Sequence, residues 1–482
     1  MKGMSFTLVI RGLRLSRAIF ALLVMAAGPA LQAFDLPALP DKAIERIAFG
    51  SCNNSTQPAP VWDAVVKADP QVWLWLGDTV YADVPRPLGD TLAERTRVVL
   101  DRLPDLYGRQ RAVPAYQRLM SRALIMGTWD DHDYGLNDMG ADFPGRAEAQ
   151  QHFFDFYGEP KESPRRTRPG VYSSIVLGPS GKRVQVVVLD TRSFRSPLED
   201  GKFPKDHRVE GRPGPYRPST DATTTLLGPD QWSWLERTLQ QPAEVRIIVT
   251  SIQLIADDHR FEKWGNLPHE RRRLLRLIRD QRIGGVIVVS GDRHTGELSC
   301  LDPLREPDGK EIDPGYPLFD LTSSALNRSA PIIASPQVTS SERRPVVFSH
   351  EINRHRLGSR FAYNHFGLIE IDWSAAGGGE VTLSLRSETG DEVLRQRVPV
   401  AGLQPDSGVR AGARSRWRRG PGKGAVLVRS SPESSRLPRG LPPRGGSDRR
   451  DLFTAPRAPR PPTRPAPRPP RWSAGIPTSA IA

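Results

Sequence analysis

The 482-residue sequence contains only two cysteines, which excludes a disulfide-stapled scaffold and leaves no zinc-finger spacing. It also lacks a Walker-type glycine-rich loop and a G-x-S-x-G nucleophile elbow. Net charge is nearly absent outside the C-terminal end. Of the total of +14, residues 404–482 contribute +13, from 16 Arg, 1 Lys and 4 acidic residues. The remaining chain is close to neutral, so we expect no specific nucleic-acid partner.

The first 33 residues have the pattern of a signal peptide. Four basic residues precede the apolar segment 18–27, which is shorter than the about 20 residues that span a bilayer. Ala33 then supplies a small residue before a cleavage site. We therefore predict that residues 1–33 direct export, and that the mature protein is periplasmic or secreted. An uncleaved N-terminal anchor is the alternative interpretation.

The C-terminal segment 404–482 has a different composition, with 15 Pro and 16 Arg. Like charges and proline leave too little apolar surface to offset the entropy of ordering, so this tail is predicted to be disordered. It could contact an anionic envelope electrostatically, or it could be a solvated extension without a catalytic role. The folded domain is then predicted to span residues 34–403, and we expect a monomer.

Six apolar, β-rich runs in this domain each end at a cluster of polar residues. The clusters are Ser51-Cys52-Asn53, Asp78 with Tyr81 and Asp83, Asp130-Asp131-His132-Asp133, Asp190-Thr191-Arg192, Gln253, and Asp292-Arg293-His294. Segments 229–240 and 269–281 have helical spacing, so strands alternate with helices and an α/β fold is predicted. The later runs LFDLTSS, FGLIEIDW and EVTLSLRSE have the pattern of an antiparallel continuation. In such sheets, ligands bind beyond the carboxyl ends of the strands.

The residue types in these clusters indicate a metal site. Carboxylates and imidazole suit hard or borderline divalent ions, whereas thiolate and phenolate suit an ion such as iron. Several carboxylates cannot remain ionised together unless a cation compensates them. Hydrolysis at phosphorus by metal-activated water or hydroxide is therefore the predicted reaction class. Two simpler interpretations remain: Cys52 could form a disulfide with Cys300, and His132 could have a purely structural role.

Six motifs, FGSCN, WLGDTVYAD, GTWDDHDYG, LDTRSFRSP, EKWGNLPHER and VSGDRHTGELS, occur in this order. Together they resemble the alkaline phosphatase D family of the metallophosphoesterase superfamily, over roughly residues 44–375. The resemblance implies a calcineurin-like sandwich of two mixed β-sheets flanked by helices, and hydrolysis of phosphate mono- or diesters. It further implies ferric iron and calcium as cofactors, with another divalent metal as the alternative. The implied iron ligands are Cys52, Asp78 and Tyr81, and the implied further ligands are Asp130, Asp131, Asp292 and His294.

Several individual roles are inferred for residues in and beside these motifs. Asp78 directly ends a strand between the other clusters and is the best candidate for a bridging ligand. His132 could bind a phosphate oxygen or protonate the leaving group. Arg192 could clamp phosphate through its bidentate guanidinium, or could form a structural ion pair. Asn137 and Gln253 are candidate amide ligands.

The sequence therefore predicts an exported metal-dependent phosphatase or phosphodiesterase that acts on a phosphate-ester substrate. The alternative is a non-catalytic envelope protein of the same fold that binds anionic polymer through its basic tail. Substrate contacts are expected in loops such as 83–112 and 197–225, and Trp264 could shape the substrate rim or cover the core.

Overall fold

The computed structural model describes residues 42–84, 88–203, 212–301, 304–305, 311–329, 351–405 and 427–428. The predicted signal peptide, residues 1–33, lies outside the described residues, and so does most of the predicted tail 404–482. Within that tail, residues 404–405 and the two-residue strand Leu427–Val428 are described. Among the helices that the structure describes, none combines the length and the apolar character needed to cross a membrane.

The first of two seven-stranded sheets contains both parallel and antiparallel strands. Numbered along the chain, these are β1 (Arg46–Gly50), β2 (Val72–Leu76), β3 (Leu124–Thr128), β15 (His365–Asp372), β16 (Glu380–Ser387), β17 (Glu392–Pro399) and β18 (Leu427–Val428). Their order is β18-β17-β16-β15-β1-β2-β3. Strands β1, β2 and β3 run parallel, and β15 pairs antiparallel with β1. The runs that form β15 and β16 are antiparallel, as predicted.

The second seven-stranded sheet is also mixed. Its strands are β4 (Ser173–Leu177), β5 (Val184–Val188), β8 (Val245–Thr250), β9 (Val286–Ser290), β10 (Gly296–Cys300), β13 (Phe319–Ser323) and β14 (Arg356–Phe361), in the order β14-β10-β13-β9-β8-β5-β4. Strands β5, β8, β9 and β13 run parallel. The prediction for LFDLTSS was therefore only half right, because β13 is parallel to β9 and antiparallel to β10. Two small ribbons pair β6 (Glu199–Asp200) with β7 (Tyr216–Arg217) and β11 (Leu304–Arg305) with β12 (Glu311–Ile312).

Seven α-helices connect these strands within the described residues. They are α1 (Val61–Ala68), α2 (Leu92–Ala112), α3 (Pro114–Met120), α4 (Asp131–Tyr134), α5 (Arg146–Tyr157), α6 (Gly228–Thr238) and α7 (Pro268–Asp280). Helices α6 and α7 match the two predicted segments. The expectation of a loop over 83–112 was wrong for 92–112, where a capping box starts α2. Thr91 Oγ1 accepts the Glu94 N–H and Glu94 Oε2 accepts the Thr91 N–H.

Successive side chains of the central strands point to opposite faces of the sheet, so one set lies between the two sheets and the other packs against helices. In β2, Leu74 and Leu76 belong to the aliphatic core that both sheets share. Trp73 and Trp75 point to the opposite face and pack against Trp62 of α1. Both faces of the strand are therefore buried, as its continuous apolar run predicted. The predicted fold class, a sandwich of two mixed sheets flanked by helices, is confirmed.

Candidate metal centre

The polar clusters that follow β1, β2, β3, β5 and β8 meet through direct contacts. Cys52 Sγ lies 3.5 Å from Asp78 Oδ2, which joins the ends of β1 and β2. Asp130, which follows β3, accepts hydrogen bonds at Oδ1 from Ser251 Oγ at 2.7 Å and from Arg192 Nε at 2.5 Å. These two donors follow β8 and β5 of the second sheet, so the cluster lies where the carboxyl ends of both sheets come together.

Two overlapping sets of buried or half-buried side chains could each hold a cation. Asp78, Asp131 and His132 form one set, and Asp130, Asp131 and Asp292 form the other. Within each set the ligand atoms lie within 4.8 Å of one another. Asp131 belongs to both sets, whereas Asp78 belongs to one. Asp131 is therefore the side chain that the two sets share.

The carboxyl groups of this cluster are costly to ionise without a cation. Burial raises the pKa of Asp78 and of Asp292 well above the ordinary range and raises that of Asp130 to about 8. Asp131 is the exception, because His132 and Arg192 outweigh the effect of burial and lower its pKa to about 2. The buried atoms Asp130 Oδ2 and Asp131 Oδ1 have no hydrogen-bond partner among the residues that the structure describes. Divalent or trivalent cations fit this arrangement, since they compensate the charge and use the free oxygens.

A thiol and a phenol converge on one oxygen at the Asp78 end of the cluster. Tyr81 OH donates to Asp78 Oδ2 at 2.7 Å, and the Cys52 thiol approaches the same atom. Burial raises the pKa of the Cys52 thiol to about 11, so only a bound cation would keep it as a thiolate. The two cysteines, both among the described residues, are not joined by a disulfide, so the structure contradicts the Cys52–Cys300 bridge.

Ser324, directly after β13, lies within hydrogen-bond distance of the Cys52 sulfur. Its Oγ accepts the backbone N–H of His294 at 2.8 Å and lies 3.0 Å from Cys52 Sγ. Either the thiol or the Ser324 hydroxyl can donate the hydrogen bond between them, and once the sulfur is a thiolate only the hydroxyl can donate it. A hydrogen bond of this kind stabilises a thiolate and fixes its direction.

The two imidazoles are each held through Nδ1, which leaves Nε2 for a ligand. His132 Nδ1 contacts Asp83 Oδ1 at 2.6 Å, and His294 Nδ1 donates to the carbonyl oxygen of Arg328 at 2.6 Å. Burial opposes charge on His132, but nearby carboxylates, led by Asp131, raise its pKa well above the ordinary value. Burial, together with the Arg328 cation, lowers the pKa of His294 to about 3. His294 is therefore neutral, the form in which imidazole binds metals.

Asp133 has a structural role in the WDDHDYG motif. Its Oδ1 accepts the backbone N–H groups of Asp130 and Asp78, and its Oδ2 accepts that of Thr79 at 3.0 Å. One carboxylate thereby ties the loop after β2 to the loop after β3, and it holds the neighbouring aspartates in place.

Arg192 is fully buried and engaged by carboxylates on two sides. Its Nε donates to Asp130, and its Nη1 lies 2.6 Å from Glu262 Oε2. Glu262 also pairs with Arg195. Of the two roles inferred for Arg192, this geometry favours the structural ion pair over the phosphate clamp.

The remaining candidates lie outside the two sets. Asn137 is exposed on the turn after α4. Gln253 donates through Nε2 to Glu297 and to Thr322, each at 2.8 Å, in a separate buried network. Trp264 is fully buried in the inter-sheet core, as the second of its two inferred roles required.

Asp83 belongs to the polar cluster after β2 but was assigned no role from the sequence, and two other residues of the centre, Ser324 and Arg328, were not singled out from it. Asp83 stands inside the WLGDTVYAD motif, and Ser324 follows an apolar run that ends in serines. Both residues therefore follow an apolar run closely, which is the pattern that identified the other residues of the centre. Arg328 carries no such signal in the sequence.

Four residues of the centre have a left-handed backbone conformation, which residues other than glycine rarely adopt. Their φ values are 55° at Cys52, 48° at Asp78, 69° at Asp292 and 53° at His294. The turn at each strand end aims the side chain over the sheet edge. Backbone strain of this type is concentrated at functional sites.

An α/β sandwich with buried carboxylates and imidazoles at its strand ends is the arrangement of metal-dependent phosphoric ester hydrolases. The chain belongs to the PhoD-like phosphatase family, whose family model matches residues 47–377. This confirms the resemblance to alkaline phosphatase D over nearly the predicted range. The enzyme class of the family, phosphoric ester hydrolase, is the predicted one.

Two individual proteins are similar to this chain. The chain is 23% identical to alkaline phosphatase D of Bacillus subtilis (strain 168) over 192 residues, which cover 36% of this chain and 31% of that protein. The matched part is thus less than a third of the Bacillus protein. A solved structure described as PhoD superposes with a TM-score of 0.52 at 17% identity, covering 78% of this chain and 72% of that chain. At this identity the superposition demonstrates a shared fold.

Proposed function

We propose that this protein is an exported, metal-dependent phosphatase or phosphodiesterase that hydrolyses phosphate esters. The observation that carries the proposal is the pair of overlapping sets joined by Asp131, with ligand atoms within 4.8 Å of one another. Two cations held this close would supply an activated water or hydroxide and would neutralise charge on the transferred phosphoryl group. The export part rests on the pattern of residues 1–33 alone.

The ligand chemistry supports different cations at the two ends of the centre. Cys52, Tyr81 and Asp78 offer a thiolate, a phenolate and a carboxylate around one point, a set that suits ferric iron. Asp130 and Asp292, with Asp131, offer only carboxylate oxygens, a set that suits calcium or another hard divalent ion.

We assign the cation of the first set to Asp78 and Asp131, which leaves His132 to handle the leaving-group proton. Its ring is fixed by Asp83 at Nδ1 and packs against the Tyr81 ring, with centroids 4.2 Å apart. Its Nε2 lies 4.0 Å from Asp131 Oδ2, so it faces the shared ligand. A ring held in this way can present one proton at a fixed atom, which is the requirement for general acid catalysis.

Elemental analysis combined with two chromogenic substrates, p-nitrophenyl phosphate and bis(p-nitrophenyl) phosphate, tests the proposal. The full chain should contain bound metal and hydrolyse at least one ester. Asp131→Asn should lower kcat more than 100-fold and reduce metal content, since both sets lose a ligand. Asp69→Asn is the matched control, because Asp69 is exposed and its left-handed backbone accommodates asparagine. A metal-free protein that hydrolyses neither ester would favour the alternative, a non-catalytic binding protein that uses the basic tail.

A further inference from the structure

Arg328 lies at the rim of the metal centre on a firmly held loop. The preceding residue, Asn327, accepts the Asn54 N–H at 2.7 Å and donates to the Asn54 carbonyl at 3.0 Å, like a strand pair. The carbonyl of Arg328 itself accepts His294 Nδ1. The loop after β13 is thus fixed to the loop after β1 on one side and to the loop after β9 on the other.

The guanidinium of Arg328 stacks on a residue of the centre. Its Cζ lies 4.1 Å from the ring centroid of Tyr81, whose hydroxyl group binds Asp78. Stacking on an aromatic face holds a guanidinium in one plane while its edge stays available for hydrogen bonds.

This cation is not neutralised within the described part of the chain. The residue is half-buried, its Nε is buried without a hydrogen-bond partner, and no carboxylate in the described ranges forms an ion pair with it. Arg192 contrasts with it, because its guanidinium forms ion pairs with Asp130 and Glu262. A half-buried cation without an ion pair attracts an anion, because the anion compensates its partial desolvation.

We propose that Arg328 binds the non-bridging phosphoryl oxygens of the ester and of the inorganic phosphate product. This inference rests on the proposed phosphoesterase function and assigns the anion-binding residue of that site. Guanidinium matches two phosphate oxygens at once, so charge and geometry both favour the contact. The position above Tyr81 places the bound anion beside the side chains that would hold iron.

Replacement of Arg328 by Gln and by Lys tests this inference. Arg328→Gln should raise KM and the inhibition constant of inorganic phosphate about 10- to 100-fold, the usual effect of losing a charged hydrogen bond. Metal content and melting temperature should stay near wild type. Arg328→Lys keeps the positive charge but loses the paired N–H groups of the guanidinium, so its phosphate affinity should lie between those of Arg328→Gln and wild type. Arg273→Gln is the matched control, since Arg273 also stacks on an aromatic ring, Trp232, but lies on α7 and pairs with Glu236.

Calorimetric titration of wild type and variants with inorganic phosphate separates this inference from the proposed function. A wild-type protein that binds phosphate but hydrolyses neither ester would contradict the proposed function. The role of Arg328 would still be decided, because the same titration compares the phosphate affinity of wild type with that of the variants. Unchanged phosphate affinity in Arg328→Gln would overturn the inference. Loss of metal from both variants, with normal phosphate affinity in the metal-loaded fraction, would equally overturn it, because Arg328 would then only support the metal centre.

Discussion

The metal-free protein should become less stable as the pH rises from 7 to 8, and bound metal should remove this dependence. Asp130 is the clearest cause. Burial raises its pKa from 3.8 to about 8, so the folded apoprotein keeps a proton that the unfolded chain has released. The unfolded state binds fewer protons, so the free energy of unfolding falls as the pH rises. Asp78 and Asp292, whose pKa values are also raised, act in the same direction.

The magnitude follows from proton linkage. Each carboxyl that stays protonated only in the folded state lowers the free energy of unfolding by about 1.4 kcal/mol per pH unit. Asp130 alone gives a loss of about 1 kcal/mol between pH 7 and 8, and the three carboxyls together give at most about 4 kcal/mol. Lys263, whose pKa burial lowers to about 8, opposes this trend mainly above pH 8, so the window ends there.

Denaturant unfolding of chelator-treated protein at pH 7.0, 7.5 and 8.0, with and without added metal, measures the effect. Asp130→Asn should reduce the slope of the apoprotein by about 1 kcal/mol per pH unit, because it removes one of these protons. The exposed Asp69→Asn should leave the slope unchanged. An apoprotein that is equally stable or more stable at pH 8 would refute the reasoning, and so would an equal slope in the metal-loaded protein.

Three further predictions concern other parts of the chain. Cys52→Ser, nearly equal in volume, should lose iron, visible colour and activity together while the fold is retained; full iron content with a lowered melting temperature would contradict this. Asp133→Asn should lose the acceptor for the Thr79 N–H and lower the free energy of unfolding by about 1–3 kcal/mol in metal-loaded protein, measured by denaturant titration; no change would exclude the structural role. Deleting residues 429–482, which carry 11 Arg, should leave kcat nearly unchanged and reduce retention on an anionic resin; loss of most activity at moderate salt would refute it.

The positions of the candidate metal ligands could be predicted because each follows a strand that is evident from the local sequence. Strand β2 is a continuous apolar run, and Asp78 follows it after a single glycine. Parallel pairing of β1, β2 and β3 then brings their carboxyl ends to one edge without any long-range information. The same reasoning located Cys52 and the aspartates after β3.

The partners of these residues could not be predicted, since they depend on contacts between distant segments. Arg192 meets Glu262 across 70 positions of sequence, and only the structure shows that this guanidinium is already occupied. Asp131 contributes to both candidate sets, and this sharing depends on how the loops after β2, β3 and β9 approach one another. Arg328 reaches Tyr81 from a loop more than 240 residues away, and no local pattern distinguishes it from other arginines.

The left-handed backbone at Cys52, Asp78, Asp292 and His294 also bears on how this protein could be improved by selection. Each such residue costs about 1–3 kcal/mol, and glycine adopts the same conformation without that cost. A library screened only for resistance to heat should therefore accumulate glycine at these four positions and discard the chemistry while it gains stability. Selection for turnover at high temperature would instead have to find its gains in the helices and outer strands, where stability and chemistry do not compete.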